Sequence, residues 1–302
     1  MKITGLHLEP TNICTLKCLG CARTRFIQQW PQHWRNHSID VQALNNFLDV
    51  ELRDNWITLC GNYGDPIYHP ELVSLVNMLK SKGCSIKIVT NGSHKKREWW
   101  QELCQALTEH DQIYFSIDGM PHDFMQYREN ADWLSIQTAI ETCRDNKIST
   151  VWKFIPFRFN QHEIEQARDL SKQLGMTDFI VEPSDRFDQQ TEHLVPERAF
   201  LGPRWSAQQL IKNQSQSRYG VNPKCAGGNQ HFITAEGFYV PCCFVADHRF
   251  YHKTFYSKQK TQFDIRLTSL SQLLTLPQVV EFYQDLPTNA HIACRYNCPD
   301  SG

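Results

Sequence analysis

Six short apolar runs separated by five longer amphipathic stretches fill the first 184 of 302 residues, and this alternation narrows the fold more than any other feature. A short apolar run suits a buried strand, and an amphipathic stretch of helical period suits a helix laid over it. The spacing predicts strands over 3–9, 56–60, 86–90, 112–117, 150–155 and 178–182, and helices over 41–52, 70–81, 95–107, 132–146 and 162–174. Gly83 and Gly175 stand just past two helix ends and Pro70 at a helix start, where each residue type is favoured. Strands joined through helices run parallel with right-handed crossovers. Six strands fall short of the eight of a closed barrel. The expected architecture is therefore α/β, a partial (β/α)6 TIM-like barrel, with its chemistry at the carboxyl ends of the strands.

After residue 184 the pattern dissolves. Residues 185–220, rich in Gln, Ser, Arg and Pro, read as a connector with one short helix over 207–213. Residues 221–302 read as a small cysteine-rich domain, with a β-hairpin turning at Gly237 and a helix over 270–284. With 41% hydrophobic and 21% charged residues, the chain can bury a substantial core. A net charge of −1 and a pI near 6.9 provide no electrostatic attraction to nucleic acid or an anionic membrane. No apolar run reaches the roughly 18 residues of a membrane span, and the first residues lack the basic and apolar regions of a signal peptide. The expected location is the cytoplasm, and there clustered cysteines are more often metal ligands than disulfides. Of twelve cysteines, Cys60, Cys84, Cys104 and Cys143 are scattered and read as small buried hydrophobes.

The other eight are clustered. Cys14-Thr-Leu-Lys-Cys18-Leu-Gly-Cys21 follows directly on the first strand. Three thiolates can hold three irons of a 4Fe–4S cube and leave the fourth iron open, as a catalytic metal site requires. A zinc site completed by His33 or His37 is the rival reading. The CxxxCxxC spacing resembles the signature of the radical S-adenosylmethionine (SAM) superfamily, although Leu19 stands where that family usually has an aromatic residue. In that family the open iron binds SAM, and an electron from the cluster cleaves it to a 5′-deoxyadenosyl radical. The resemblance continues at successive strand ends. Gly61-Asn-Tyr-Gly64-Asp65-Pro66 resembles the segment whose backbone receives the SAM amino group. Thr90-Asn91-Gly92 and Ser116-Ile-Asp118-Gly119 match other recurrent SAM-pocket positions, with Lys153 and Val181 as looser matches for the carboxylate and adenine.

The second set comprises Cys225, Cys242, Cys243, Cys294 and Cys298, with four residues between Gly237 and the adjacent pair. It resembles the auxiliary-cluster domains called SPASM and twitch, and the smaller number of cysteines fits the twitch form. The resemblance implies a second 4Fe–4S cluster on Cys225, Cys242, Cys294 and Cys298. Adjacent residues on a strand face opposite sides, so Cys243 is the spare, and the two could exchange roles. A structural zinc ribbon is the rival here.

Such a protein would abstract a hydrogen atom from its substrate, with flavodoxin or ferredoxin as electron donor. The auxiliary cluster would then accept the substrate electron. Oxidation also needs a base, for which Asp123, Glu182, Asp185 and His231 are candidates, while an unligated Cys243 could return a hydrogen atom and make an epimerase. Trp30-Pro-Gln-His-Trp34 is a candidate lining of the substrate mouth. The leading substrate is a ribosomally made peptide, ahead of a small molecule such as a sugar or antibiotic precursor. A zinc-stabilised binding module on a decayed barrel is the alternative of another class.

Overall fold

The computed structural model describes residues 3–184, 187–202, 221–223, 225, 231–284, 286 and 290–298. Asp185 and the connector helix expected over 207–213 lie outside the described residues. Six strands run parallel in chain order: β1 (Gly5–Leu8), β2 (Trp56–Leu59), β3 (Ser85–Thr90), β4 (Gln112–Ser116), β5 (Ser149–Phe154) and β6 (Asp178–Val181). Each lies within two residues of its expected bounds. The helices between them are α2 (Val41–Phe47), α3 (Leu72–Ser81), α4 (Arg97–Ala106), α5 (Trp133–Asp145) and α6 (Ile164–Gln173).

The two faces of the sheet differ in chemistry. Ile57, Leu59, Ile86, Ile88, Ile113, Phe115 and Trp152 are wholly buried. Trp100 on α4 meets Phe115 at 5.8 Å and Trp133 on α5 meets Trp152 at 6.1 Å, so this face packs on the helix layer. The alternate residues His7, Thr58, Lys87, Tyr114 and Lys153 are polar and only half-buried. Period-two alternation in a parallel sheet means that the helices cover one face fully and leave the other open for a site.

The α/β partial barrel is as expected, and two helix expectations need correction. Among the described residues the expected C-terminal hairpin extends the six-stranded sheet to eight strands. Strand β7 (His231–Ile233) pairs parallel with β1, and β8 (Tyr239–Val240) pairs antiparallel with β7, giving the order β6-β5-β4-β3-β2-β1-β7-β8. The helix expected over 41–52 ends at Phe47. Two residues on, the Asp49 carboxylate accepts from the Ser271 N–H at 2.9 Å and hydroxyl at 2.5 Å, and this tertiary tie replaces further helical turns. The single helix expected over 270–284 is two helices, Leu270–Leu273 and Pro277–Gln284, because Pro277 cannot donate to the preceding turn and starts a new helix instead.

Sequence reading also missed α1 (Ala22–Gln29), a polar helix with no wholly buried residue and hence no apolar stripe to betray it.

Candidate active site

The cysteine loop hangs from the carboxyl end of β1 and is tied down on three sides. Thr11 donates its hydroxyl to the His37 carbonyl at 2.9 Å, and Asn12 donates its side-chain amide to the Arg35 carbonyl at 2.9 Å. Lys17 N–H donates to the Glu129 carbonyl at 3.0 Å, and Arg23 donates to the Leu16 carbonyl. Cys21 occupies the cap position of α1, and its thiol makes no capping bond. Cys18 is buried, and Cys14 and Cys21 are half-buried. Burial pushes the thiols of Cys14 and Cys18 up to about 12. Such thiols become thiolates only beside a cation that repays the lost hydration.

The segment after β2 packs directly on this loop. A side-chain carbon at Gly64 would strike the Thr11 carbonyl and come within 2.6 Å of the Asn12 Cα, so only glycine allows the two backbones to meet. Asp65 N–H donates to the Ile13 carbonyl at 3.0 Å. The buried Asp65 carboxylate accepts from the Thr90 hydroxyl at 2.8 Å and from the backbone and side-chain amides of Asn91 at 2.6 and 2.5 Å. Asn91 in turn reaches the Cys14 sulfur at 3.7 Å. Gly64, Asp65, Thr90 and Asn91 therefore form one continuous chain of contacts with the first cysteine, and Pro66 opens the buried turn Pro66–Tyr68 that follows. The Asp65 side chain acts as scaffold, orienting Asn91.

Asp118, beyond β4, accepts two bonds from the Arg128 guanidinium, both at 2.7 Å, and one from Ile155 N–H at 2.9 Å. The positive charge of Arg128 lowers the Cys18 thiol against the stronger effect of burial, so the ion pair faces the cysteine loop. Sequence reading missed Arg128, since a single arginine in a loop carries no spacing signal. Ser116 and Lys153 are register partners on β4 and β5, Val181 ends β6, and Lys153 pairs with Glu182 at 3.6 Å.

The second cysteine set also converges. Cys225, Cys242, Cys294 and Cys298 are all buried, and burial followed by the nearby sulfurs pushes the Cys225 and Cys294 thiols up to about 12. Cys298 N–H donates to the Cys294 carbonyl at 2.7 Å within the helix Ile292–Asn297 and the residue closing it. The Cys243 carbonyl accepts from the Asn62 side chain at 2.8 Å, which ties this set to the segment after β2.

Beside the cysteine loop lies a cavity of about 1060 Å³. Phe26, Trp30, Trp34, Tyr63, Phe238 and His248 line it, so the expected mouth segment and the unforeseen helix α1 form one wall. The rings support each other edge-on, Phe26 against Trp30 at 5.4 Å and against His248 at 5.6 Å. Glu9 is at its floor, buried, its carboxylate taking Tyr63 N–H at 2.7 Å, and burial raises its pKa to about 7. Of the candidate bases, His231 is wholly buried between the hydroxyls of Tyr239 at 2.7 Å and Tyr283 at 3.1 Å, and burial lowers it to about 4. Asp123 is buried beside Glu163, and Glu182 is half exposed.

Among the described residues, no helix is long and apolar enough to cross a membrane. The chain is 22% identical to a GTP 3′,8-cyclase of Nautilia profundicola over 285 residues, covering 82% of each chain. It is 29% identical over 120 residues to a tungsten-containing aldehyde ferredoxin oxidoreductase cofactor-modifying protein of Pyrococcus furiosus, covering 38% of this chain and 31% of that one. The chain thus spans under a third of the length of that relative. In fold it is similar to anSMEcpe with bound AdoMet, with a TM-score of 0.60, 14% identity, and coverage of 93% of this chain and 83% of that one. It is also similar to Streptococcus suis SuiB bound to S-adenosylmethionine, with a TM-score of 0.59, 11% identity, and coverage of 97% and 77%. The family model described as the radical SAM superfamily matches residues 8–170, more than half of the sequence, including the whole cysteine loop and the ends of β2 to β5. The chain belongs to the radical SAM superfamily.

Proposed function

We propose that this protein reductively cleaves SAM and uses the resulting radical to modify a ribosomally made peptide oxidatively. Cys14, Cys18 and Cys21 would hold the catalytic cluster, which when bound supplies the electron that cleaves SAM to methionine and a 5′-deoxyadenosyl radical. The observation that carries this reading is the set of three thiols on a loop packed against Gly64 and Asn91, within the residues that the radical SAM family model matches. Gly64, Pro66 and Thr90 with Asn91 would face one side of SAM, and Ser116, Asp118, Lys153 and Val181 the other. Asp65 would work indirectly, by holding Thr90 and Asn91 in place. Arg128 would keep positive charge beside the Cys18 ligand.

The peptide reading rests on the cavity. Its roughly 1060 Å³ and ring-lined walls suit a bulky side chain with flanking backbone, and it borders Asn12 and Phe26, which flank the cysteine loop in sequence. A fold neighbour, anSMEcpe with bound AdoMet and Cp18Cys peptide, matches with a TM-score of 0.61. Cys225, Cys242, Cys294 and Cys298 would hold a second cluster that accepts the substrate electron, with Cys243 left over. A flavodoxin or ferredoxin would be the electron source in the cytoplasm, and neither nucleic acid nor membrane is a partner in this reading.

A small-molecule substrate is the second reading. It is favoured by the fold of BtrN in complex with AdoMet and 2-DOIA, which covers 99% of this chain and 93% of that one at a TM-score of 0.52.

Anaerobic reconstitution followed by incubation with SAM and dithionite tests the proposal. About eight irons and eight sulfides per chain and formation of 5′-deoxyadenosine are expected. Candidate peptides, starting with any short one encoded beside the gene, should lose two hydrogens by mass. An unchanged mass in ordinary water together with deuterium uptake in heavy water would mean epimerisation instead, and deoxyadenosine made only with a sugar substrate would favour the second reading. Tightly held zinc with no SAM binding would defeat both.

A further inference from the structure

Two buried carboxylates and a histidine meet outside both cysteine regions. Asp123 follows β4 at the start of a short turn, where its carboxylate accepts from Met120 N–H at 2.8 Å. Glu163 follows β5 in the turn that leads into α6. The chain is shaped to bring them together. Gly119, at φ +140°, lets the first loop fold down, since a side-chain carbon there would lie 2.6 Å from Asp123 Oδ1. Wholly buried Asn160 joins the loops, donating to the Asp118 carbonyl at 3.0 Å and the Ile155 carbonyl at 3.1 Å.

Asp123 is 7% and Glu163 5% exposed. Glu163 Oε1 lies 3.2 Å from the imidazole Nε2 of His122. Glu163 Oε2 is buried with no hydrogen-bond partner. One donor atom from each of the three residues lies within 4.8 Å of the others. Among the described residues neither carboxylate pairs with a lysine or arginine; the groups facing Glu163 are Asp123, His122 and His162. Two like charges this close and this dry require a proton or a cation between them. Burial, then the charge of Asp123 and a hydrogen bond between the two carboxyl groups, raises the Glu163 pKa, while the two histidines lower it.

The geometry assigns His122, Asp123 and Glu163 as a binding site for a divalent first-row metal ion, separate from both cysteine sets. One imidazole nitrogen and two carboxylate oxygens form a hard-to-borderline donor set that suits Mn²⁺, Fe²⁺ or Zn²⁺. Glu163 Oε2, which no N–H donor reaches, supplies a ligand atom, and the ion would take the place of the hydrogen bond between the two carboxyl groups. His122, exposed at 70%, leaves the outer side of the site open to water ligands and to entry of the ion. The ion would clamp the loop after β4 to the loop after β5. Asp118 and Asn160 lie on those loops, so the clamp would hold the Arg128 pair in register beside the cysteine loop.

Manganese is the discriminating probe, because thiolates are poor ligands for it and the cysteine regions will not compete. The anaerobically purified, cluster-loaded protein is titrated with Mn²⁺, and free Mn²⁺ is read from its six-line EPR signal. The wild type should take up one ion per chain and gain thermal stability on doing so. Glu163→Gln, nearly the same shape, should lose the uptake and the Mn²⁺-dependent stabilisation. His122→Ala, at an exposed position that any fold tolerates, should weaken binding by more than the roughly tenfold that loss of even an outer-sphere partner produces. Wild-type protein that binds no Mn²⁺, or variants that bind it equally well, would overturn the site. A Glu163→Gln protein more stable than wild type with Mn²⁺ absent, together with no uptake by wild type, would show that the two carboxyl groups share a proton instead. None of these readouts depends on SAM cleavage.

Discussion

The two cysteine regions bring their cysteines together by opposite means. Cys14, Cys18 and Cys21 come from eight consecutive residues anchored by a strand end, the helix cap at Cys21 and the glycine contact at Gly64. Cys225, Cys242, Cys294 and Cys298 come from three segments separated by up to fifty residues, and Cys225 and Cys294 form a small buried group with Leu286 apart from the main core. A local loop on a rigid sheet can keep one metal position open, because its geometry does not depend on the ion. A set collected from distant segments gains its geometry partly from what it encloses. Ligand loss should therefore spare the fold in the first region and disturb it in the second.

The largest expected effect is at the first region. Cys18→Ala should bring 5′-deoxyadenosine formation to background while circular dichroism and melting temperature stay near wild type. A variant that unfolds would break the comparison, and one that still cleaves SAM at the wild-type rate would remove the ligand assignment. Next comes Arg128→Met, which leaves the wholly buried Asp118 charge without its partner. Breaking such a pair costs about 3–5 kcal/mol, readable as a lower urea midpoint. A loss below about 1 kcal/mol would mean that Asp118 is protonated or hydrated there.

Cys298→Ala sharpens the contrast from the other side. About half the iron should be lost, deoxyadenosine formation should persist, product should disappear, and the C-terminal segment should become more open to protease. Equal iron content in variant and wild type would remove Cys298 from the ligand set.

The smallest effect concerns the group between the two regions. Glu9 binds the segment after β2 through Tyr63 N–H and Gly64 N–H, and reaches Ala235 beyond β7. Its pKa is raised from 4.5 to about 7 by burial. A raised acid stabilises the fold fully below pH 4.5 and loses that contribution as pH climbs through 7, a fall of at most about 3 kcal/mol. Melting temperature should thus decline more steeply between pH 5 and 8 in wild type than in Glu9→Gln. Parallel curves would show that Glu9 ionises freely.

The six-strand parallel order was readable from the periods of the residues, and the cysteine loop from its spacing, because in both neighbours in sequence are neighbours in space. The strand-end segments at Gly64, Asn91 and Asp118 were picked out only by their resemblance to the radical SAM superfamily. The pairing of β7 with β1, the end of α2 at Phe47, the Arg128–Asp118 pair, the aromatic cavity and the meeting of Asp123 with Glu163 came only with the tertiary structure. Most of these join segments distant in the chain, and the Arg128–Asp118 pair, ten residues apart, joins two loop side chains that no period or spacing marks. A lone arginine, or a carboxylate in a loop, looks the same in sequence whether it faces water or a buried partner. Only the packing of the strand-end loops decides which, because burial sets the cost of leaving a charge alone.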